Sequence, residues 1–580
     1  MNKLNVFNNH KYLSFIGLFF IIFLIIRADT FVDYFFNIDE LVYLYLLKRS
    51  EIAYLPFLGF DTQTSGPITI ILLKLFQGIG IKINLVNYRF ILFSLSSISL
   101  IYFSCKIYVN NIKVLFIVGL TLSSLFYIKH LDFIAINTEY SIVGIVPIIL
   151  FLAFKKETKR SDLILFSLLI LILFFTKFQA IILVGMLSLL FIYKLYIKNL
   201  RTLLKEYIII NGILIAFLLI FFQYFGILDD FIHNYILRNL QYPKLKIAPP
   251  ILDTVQSNTI ILIKYFSPYF LLIFINLLFY RIKKTISKSK ERSYVTILKD
   301  KKSLLIILSI IIIFILLIKY KLGYNITHIF PPILNKTVSF IVLISTLYLS
   351  ISLLIKVQWK TTYNKENLLK NYKFSGILLI TLVIYFSILL AKYNFIHYFV
   401  LFFIPIIYWI AYLINKNDSS KIILINVFVF ASIFFYQTIE NREYNSKMIN
   451  LIESQIKEEM DQKKTTNYIR NKSSQQTILI LGFYKAVPLY YRLSQNFNFC
   501  YRAANTQFIT LFYLKGRKNK FFKVEDNNLY YDIKRGKPNY IIDTDNILNK
   551  IPKSKSVALI MRNYKLVALN ETGIIYKTTN

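Results

Sequence analysis

Asp39 and Glu40 stand side by side in the stretch NIDELVYLYLLKRSEIAYLPFLGFDTQTSGP (37–67), directly after the first apolar run of the chain, with Asp61 further along it. A carboxylate at a membrane face can take the proton of an attacking hydroxyl as general base. Cations at the same level can stabilise charge growing on a phosphate leaving group. Such cations and further polar groups are Arg89, Glu139, Lys177, Gln179, Asp229, Asp230, Arg238, His328, Lys392, His397 and Tyr398, each outside or at the end of an apolar run. Glu139 in AINTEYSIVGIVP and Lys177 in ILFFTKFQAII are the two clearest cases. An ionisable group within a membrane helix costs roughly 2.5–3.5 kcal/mol on insertion scales, so it tends to face a cavity and to serve a function. Each also has a plain reading. Lys177, between two short apolar runs, would snorkel to water as the tip of a helical hairpin. Glu139 suits a helix start, where the macrodipole favours an acid. His397 in AKYNFIHYFVLFFIP suits an interfacial aromatic belt, and Asp39 and Glu40 taken alone are ordinary loop charges. Together, acids, Lys, Arg and His at one expected level point to a reaction at a lipid-phosphate headgroup, with the lipid tail lying between helices.

The elements that must position these groups are membrane helices. Of the 580 residues 56% are hydrophobic and 17% aromatic, with only 16 Gly, and the mean hydropathy is +0.56. Soluble domains do not have this composition. The formal net charge of +38 raises the question of nucleic acid. The basic residues fall instead in short clusters between apolar runs, the pattern of a polytopic protein whose basic loops meet anionic membrane lipids, with no nucleic-acid partner. The first run, YLSFIGLFFIIFLII (12–26), is followed by Arg27 and Asp29 rather than a small-residue cleavage site, so it reads as an uncleaved helix. Further runs lie near 88–108, 114–128, 134–154, 163–175, 180–195, 207–225, 261–280, 304–319, 338–355, 376–391, 399–414 and 422–437.

Orientation turns on PITIILLKLFQGIGI (67–81), a short run that opens with Pro67 and contains Lys74. If it does not span, the basic segments KKETKRSD, KNLRTLLKEY, RIKKTISKSKERSYVTILKDKKS and KVQWKTTYNKENLLKNYK share a side with the N-terminus; if it spans, all four lie outside. The positive-inside rule selects the first case. The expected fold is therefore a polytopic α-helical membrane protein of about 13 transmembrane helices, N-terminus cytoplasmic, with 67–81 lying in the outer interface. Residues 1–437 form the membrane domain, with an outer catalytic loop at 27–87. Residues 438–580 form a small extracytoplasmic α/β domain: IENREYNSKMINLIESQIKEEMDQ and AVPLYYRLSQ have helical spacing, and TILILGF, NYIIDT, YKLVALN and GIIYKTT are strand-like.

The order of these motifs resembles the GT-C superfamily of membrane glycosyltransferases, specifically the family 39-like branch that includes protein O-mannosyltransferases and the aminoarabinose transferase of lipid A. The resemblance rests on the outer DE after the first helix, a second acidic motif ending in D…GP, and an Arg opening the next span. An acid after the third span, TK between two short helices, a late HY…P and a soluble tail containing KPNYIID and YKLVALNETGIIYK complete it. It implies transfer of a sugar, with inversion, from a polyprenyl-phosphate donor to a lipid, glycan or protein acceptor on the non-cytoplasmic side. It makes Asp39 the base and places Glu40 beside it to position acceptor or sugar. It makes Glu139 the counterpart of an Asp that in some relatives helps hold a divalent metal. Lys177, Arg89, His397 and Tyr398 would contact the donor phosphate or line its pocket, with Asp61 and Gln179 as further binding residues. The chain departs from the pattern at DTQTSGP, where relatives carry a Lys before the Pro; Thr64 or Ser65 offers hydrogen bonds there without charge.

Other classes fit less well. O-antigen ligases and polymerases rely on a large outer loop between late helices, whereas the long polar segment here is the tail. Transporters and flippases of lipid-linked sugars commonly show internal repeats, and none is evident. Cys105 and Cys500 lie far apart in different environments, so no disulfide is expected, and no Cys/His zinc spacing occurs. A magnesium or manganese ion would suit carboxylates, but no ligand set is visible. Richness in Lys, Ile and Asn suggests an AT-rich bacterial genome and hence an inner membrane facing a periplasm.

Overall fold

The computed structural model describes residues 3–50, 57, 65–108, 111–240, 251–286, 365–390, 396–417, 420–470, 477–482, 486–493, 498–499, 520–570 and 572–579. These are mostly helical, with a small sheet near the C-terminus. The apolar runs become helices because a helix pairs its own backbone groups without help from water. In chain order they are α1 (Lys3–Ile26), α2 (Ile38–Arg49), α3 (Ile68–Gly78), α4 (Leu85–Lys106), α5 (Ile112–Phe126) and α6 (Leu131–Ile134). Next come α7 (Thr138–Phe154), α8 (Arg160–Phe174), α9 (Ile181–Ile197), α10 (Arg201–Tyr224) and α11 (Ile251–Ile286). After them lie α12 (Lys365–Leu390), α13 (Phe403–Asn417), α14 (Ser420–Glu440) and α15 (Arg442–Arg470).

Five helical segments among the described residues are long and apolar enough to cross a membrane, six if the bent pair Asp253–Leu262 and Lys264–Leu277 counts as one span. Shorter apolar helices include Ile112–Phe126 and Thr138–Phe154. The expected count of thirteen is not reached on this criterion, and the runs 304–319 and 338–355 lie outside the described residues. α10 exposes Ile208, Ile209, Ile213, Ile215, Phe217 and Ile220; a helix that is apolar and unburied along its length belongs in lipid. Within the expected outer loop 27–87, α3 falls on the helix expected at 67–81, whereas α2 is a helix where loop was expected; residues 51–56 and 58–64 lie outside the described residues.

Helix packing relies on small residues. Where α4 meets α7, Ser96 Oγ donates to Tyr140 O (2.6 Å) and Ser99 Oγ to Gly144 O, and a Cβ at Gly144 would sit 3.4 Å from the Ser96 Cα. Such positions let membrane helices approach closely and bond across the interface. At the far end of the bundle from Asp39, lysines cap helix carbonyls: Lys194 Nζ donates to Leu152 O (2.7 Å) and Lys373 Nζ to Ile107 O (3.0 Å). Cations are favoured at helix C-termini, where unpaired carbonyls and the negative dipole end coincide.

The C-terminal sheet has the order β2-β1-β3-β5-β4. β1 (Thr477–Leu481) pairs in parallel with β2 (Asn498–Phe499) and β3 (Tyr540–Asp543); β5 (Gly573–Thr578) runs antiparallel between β3 and β4 (Tyr564–Asn570). Parallel strands are covered on both faces. Leu479, Leu481 and Ile541 point to the helices Lys520–Gly536 and Lys555–Asn563, with Leu529, Ile533 and Ile560. Ile478, Ile480, Tyr540 and Ile542, one residue out of phase, join the same apolar core as the helix bundle. The strand period of two thus divides this domain's residues between its own core and the bundle.

Candidate active site

Asn37 ends the loop after α1 and caps α2, its side chain accepting from Asp39 N at 3.0 Å. The cap places Asp39 and Glu40 in the first turn, where the helix dipole favours acids. One step in sequence then separates two environments. Glu40 is fully buried and accepts four hydrogen bonds: from Arg89 Nε (2.8 Å), Arg89 Nη2 (2.7 Å), Phe36 N (2.8 Å) and Ile136 N (2.9 Å). Arg89 in turn donates to Thr30 O (2.9 Å), Val32 O (2.7 Å) and Tyr34 O (2.5 Å), and lies over the Phe36 ring. This pair staples the loop 30–36 and the Ile136 turn to α4. Glu40 and Arg89 were expected to meet substrate; the structure commits their bonding groups to backbone and to each other.

Asp39 is only partly exposed, and its carboxylate has no hydrogen-bond partner among the described residues. Burial pushes its carboxyl pKa up, against the pull of His397 and Lys177 and reinforced by the charges of Glu139 and Asp132. A raised pKa makes the ionised form a stronger base.

Lys177 is delivered by the turn between α8 and α9. Its backbone forms an isolated antiparallel bridge with Ser65, extended by Gly66 N to Thr176 O (3.0 Å) and Ile68 N to Phe175 O (3.4 Å). A Cβ on Gly66 would lie 1.7 Å from Phe175 O, so the GP of the expected acidic motif acts sterically, letting two backbones meet. The Lys177 ammonium donates to Glu139 Oε1 and sits 4.6 Å from the centroid of the Tyr398 ring. His397 Nε2 lies 3.9 Å from the same Glu139 oxygen, on the 3-10 stretch Ile396–Phe402. Among the described residues Glu139 Oε2 is buried without a hydrogen-bond partner, as are both side-chain polar atoms of Asn137 and Gln179 Oε1.

Glu139, Lys177, Gln179 and Tyr398 contribute to the lining of a small, partly open pocket whose other walls are apolar, among them Ile142, Leu183, Ile384, Ile388 and Leu401. Beside it Tyr43, one turn after Asp39, bonds Ser65 Oγ (2.6 Å) and Thr138 Oγ1 (3.2 Å). Sequence reasoning missed Tyr43 and Thr138; reading 38–49 as a helix would have put Tyr43 on the Asp39 face.

The C-terminal region grips the loop that leads into the Asp39 helix. Gln455 on α15 accepts from Phe35 N (3.2 Å) and donates to Phe35 O (2.6 Å), Tyr444 packs in a cluster with Phe36, and the Tyr490 ring packs against Tyr45 of α2 with centroids 4.6 Å apart and planes tilted by 31°. No local pattern announces Gln455, whose partner is 420 residues away.

Asp61, Thr64, His328, Lys392 and Cys500 lie outside the described residues. Asp230, Asn234 and Arg238 bond in series along two successive helical turns and do not line the cavity. The divalent metal considered for Glu139 does not fit: an ammonium already occupies one carboxylate oxygen, and no group of three His, Cys, Asp or Glu suited to a metal occurs among the described residues.

No family model matches the chain, and no curated protein matches it either.

Proposed function

We propose that the chain is an integral membrane glycosyltransferase that moves a sugar, with inversion, from a polyprenyl-phosphate carrier to a hydroxyl of a lipid, glycan or protein. The observation that supports this reading is the juxtaposition at one end of an apolar bundle: a carboxylate with no hydrogen-bond partner among the described residues, Asp39, near a lysine that lines an apolar-walled pocket. The acceptor oxygen attacks the anomeric carbon, its proton passes to Asp39, and the carbon–oxygen bond to phosphate breaks with its electrons on the phosphate. Lys177 meets that charge, Tyr398 and His397 flank it, and the prenyl tail lies along Ile384, Ile388 and Leu401. Low-dielectric walls make one ammonium count for more than it would in water.

The orientation follows from the basic residues Lys155, Lys156, Lys159, Arg160, Lys194 and Lys198 at the bundle end remote from Asp39, which the positive-inside rule assigns to the cytoplasm. Asp39 and the C-terminal domain then face the periplasm of a bacterial inner membrane crossed by about 13 helices.

The test is a mass-spectrometric comparison of envelope glycolipids, surface polysaccharide and lipid-linked sugars in cells carrying the intact chain, Asp39→Asn, or no copy. A product short of one sugar in both defective strains, with lipid-linked sugar accumulating, is expected. A normal product in the Asp39→Asn strain beside a defective null would overturn the assignment and favour transport.

A further inference from the structure

The two acids near Lys177 are held differently from Glu40. Glu40 accepts four hydrogen bonds and has no freedom to turn. Glu139 has one oxygen on the Lys177 ammonium and the other buried without a hydrogen-bond partner among the described residues. His397 Nε2 stands 3.9 Å away as a second cation when protonated. Lys177 is more firmly fixed, by the Ser65 backbone bridge and the Tyr398 ring. Glu139 and Lys177 are the charged pair lining the cavity among the described residues, and together they are close to neutral. A neutral pair attracts an anion weakly until it separates.

We propose that Glu139 is a built-in competitor for Lys177, yielding the ammonium to the donor phosphate and reclaiming it afterwards so that the polyprenyl phosphate product leaves. The inference rests on the glycosyltransferase reading and deepens it. Transfer converts a phosphodiester with one negative charge into a phosphomonoester of about −1.5 to −2 at pH 7. A lone Lys177 would therefore hold product more tightly than donor. A carboxylate on a single-bonded side chain next to it reverses that bias, because like charges within a few ångströms in a poorly screened site repel strongly. His397 gives the displaced carboxylate somewhere to go.

The probe is farnesyl phosphate, a short polyprenyl monophosphate, binding to the full chain in detergent at neutral pH, with farnesol as uncharged control. Glu139→Gln is expected to bind farnesyl phosphate about tenfold more tightly than wild type, with farnesol binding unchanged. Glu139→Asp, which retracts the carboxylate by one methylene, should fall between, and serves if the Gln variant does not fold. Lys177→Met should abolish the advantage of farnesyl phosphate over farnesol. In the transfer assay Glu139→Gln should lower KM and kcat together, with product release limiting. Equal or weaker farnesyl phosphate binding by Glu139→Gln or Glu139→Asp overturns the proposal, as does undiminished binding by Lys177→Met. The two readings fail separately: tightened binding without any sugar transfer by wild type refutes the transferase and leaves the competition standing, whereas transfer by wild type with weakened binding in the variants refutes the competition alone.

Discussion

Adjacent carboxylates with opposite expected phenotypes give the sharpest test of the site. Glu40→Gln preserves shape but removes the charge that Arg89 and two backbone N–H groups address, and it turns an amide NH2 toward one of those donors. Breaking one side of a buried ion pair costs about 3–5 kcal/mol, a large part of the roughly 5–15 kcal/mol that separates folded from unfolded states in ordinary domains. The three carbonyls that Arg89 also meets, on Thr30, Val32 and Tyr34, soften the loss and favour the lower end of that range. Asp39→Asn removes no hydrogen bond from the carboxylate. Burial in the folded state raises the Asp39 pKa above that of an ordinary aspartate, so the folded protein binds the proton more tightly than the unfolded chain. Stability from this group is complete below the unfolded pKa and is lost as pH rises through the folded one. At neutral pH the ionised side chain is then a net cost that Asn removes. Unfolding midpoints of the purified chain in detergent should therefore fall clearly for Glu40→Gln and stay level or rise for Asp39→Asn, while transfer is abolished in the latter. The double variant Glu40→Gln/Arg89→Met should lose less than the sum of its singles, because the two groups share one interaction. A Glu40→Gln midpoint equal to wild type, or an Asp39→Asn loss as large as that of Glu40→Gln, would refute the division of labour.

Other tests follow from the same geometry. The rate should fall on acidification at a pH above the ordinary Asp range, because Asp39 must be ionised and burial raises its pKa; an acid limb that persists in Asp39→Asn would assign it elsewhere. Gly66→Ala should cost more than ordinary overpacking, which is about 1–3 kcal/mol, because the clash is with the Phe175 backbone carbonyl, and lower transfer by displacing Lys177, visible as a raised donor KM; unchanged kinetics would show that the bridge is not needed. Gln455→Ala removes both bonds to Phe35 and should reduce kcat with donor binding intact, whereas an unaltered kcat would separate the C-terminal domain from the site. Lys177→Met should weaken use of the donor more than binding of the acceptor, and equal effects on both would count against its placement at phosphate.

The apolar helical runs and the strands at Thr477–Leu481, Tyr540–Asp543, Tyr564–Asn570 and Gly573–Thr578 were legible in the sequence, because hydrophobic period and run length are local properties of the chain. The sequence also singled out Glu139, Lys177 and His397, since a charge inside an apolar run is conspicuous wherever its partner lies. It had no means of separating Asp39 from Glu40: both are acids in one helical turn, and which of them faces Arg89 depends on where α4 crosses α2. Nor did it make Arg89 structural, give Gly66 its steric task, or bring Gln455 to Phe35 across 420 residues. Those assignments arise when distant backbones are packed within bonding distance, and only then do two neighbouring acids differ, one saturated by hydrogen bonds and the other left without a partner among the described residues.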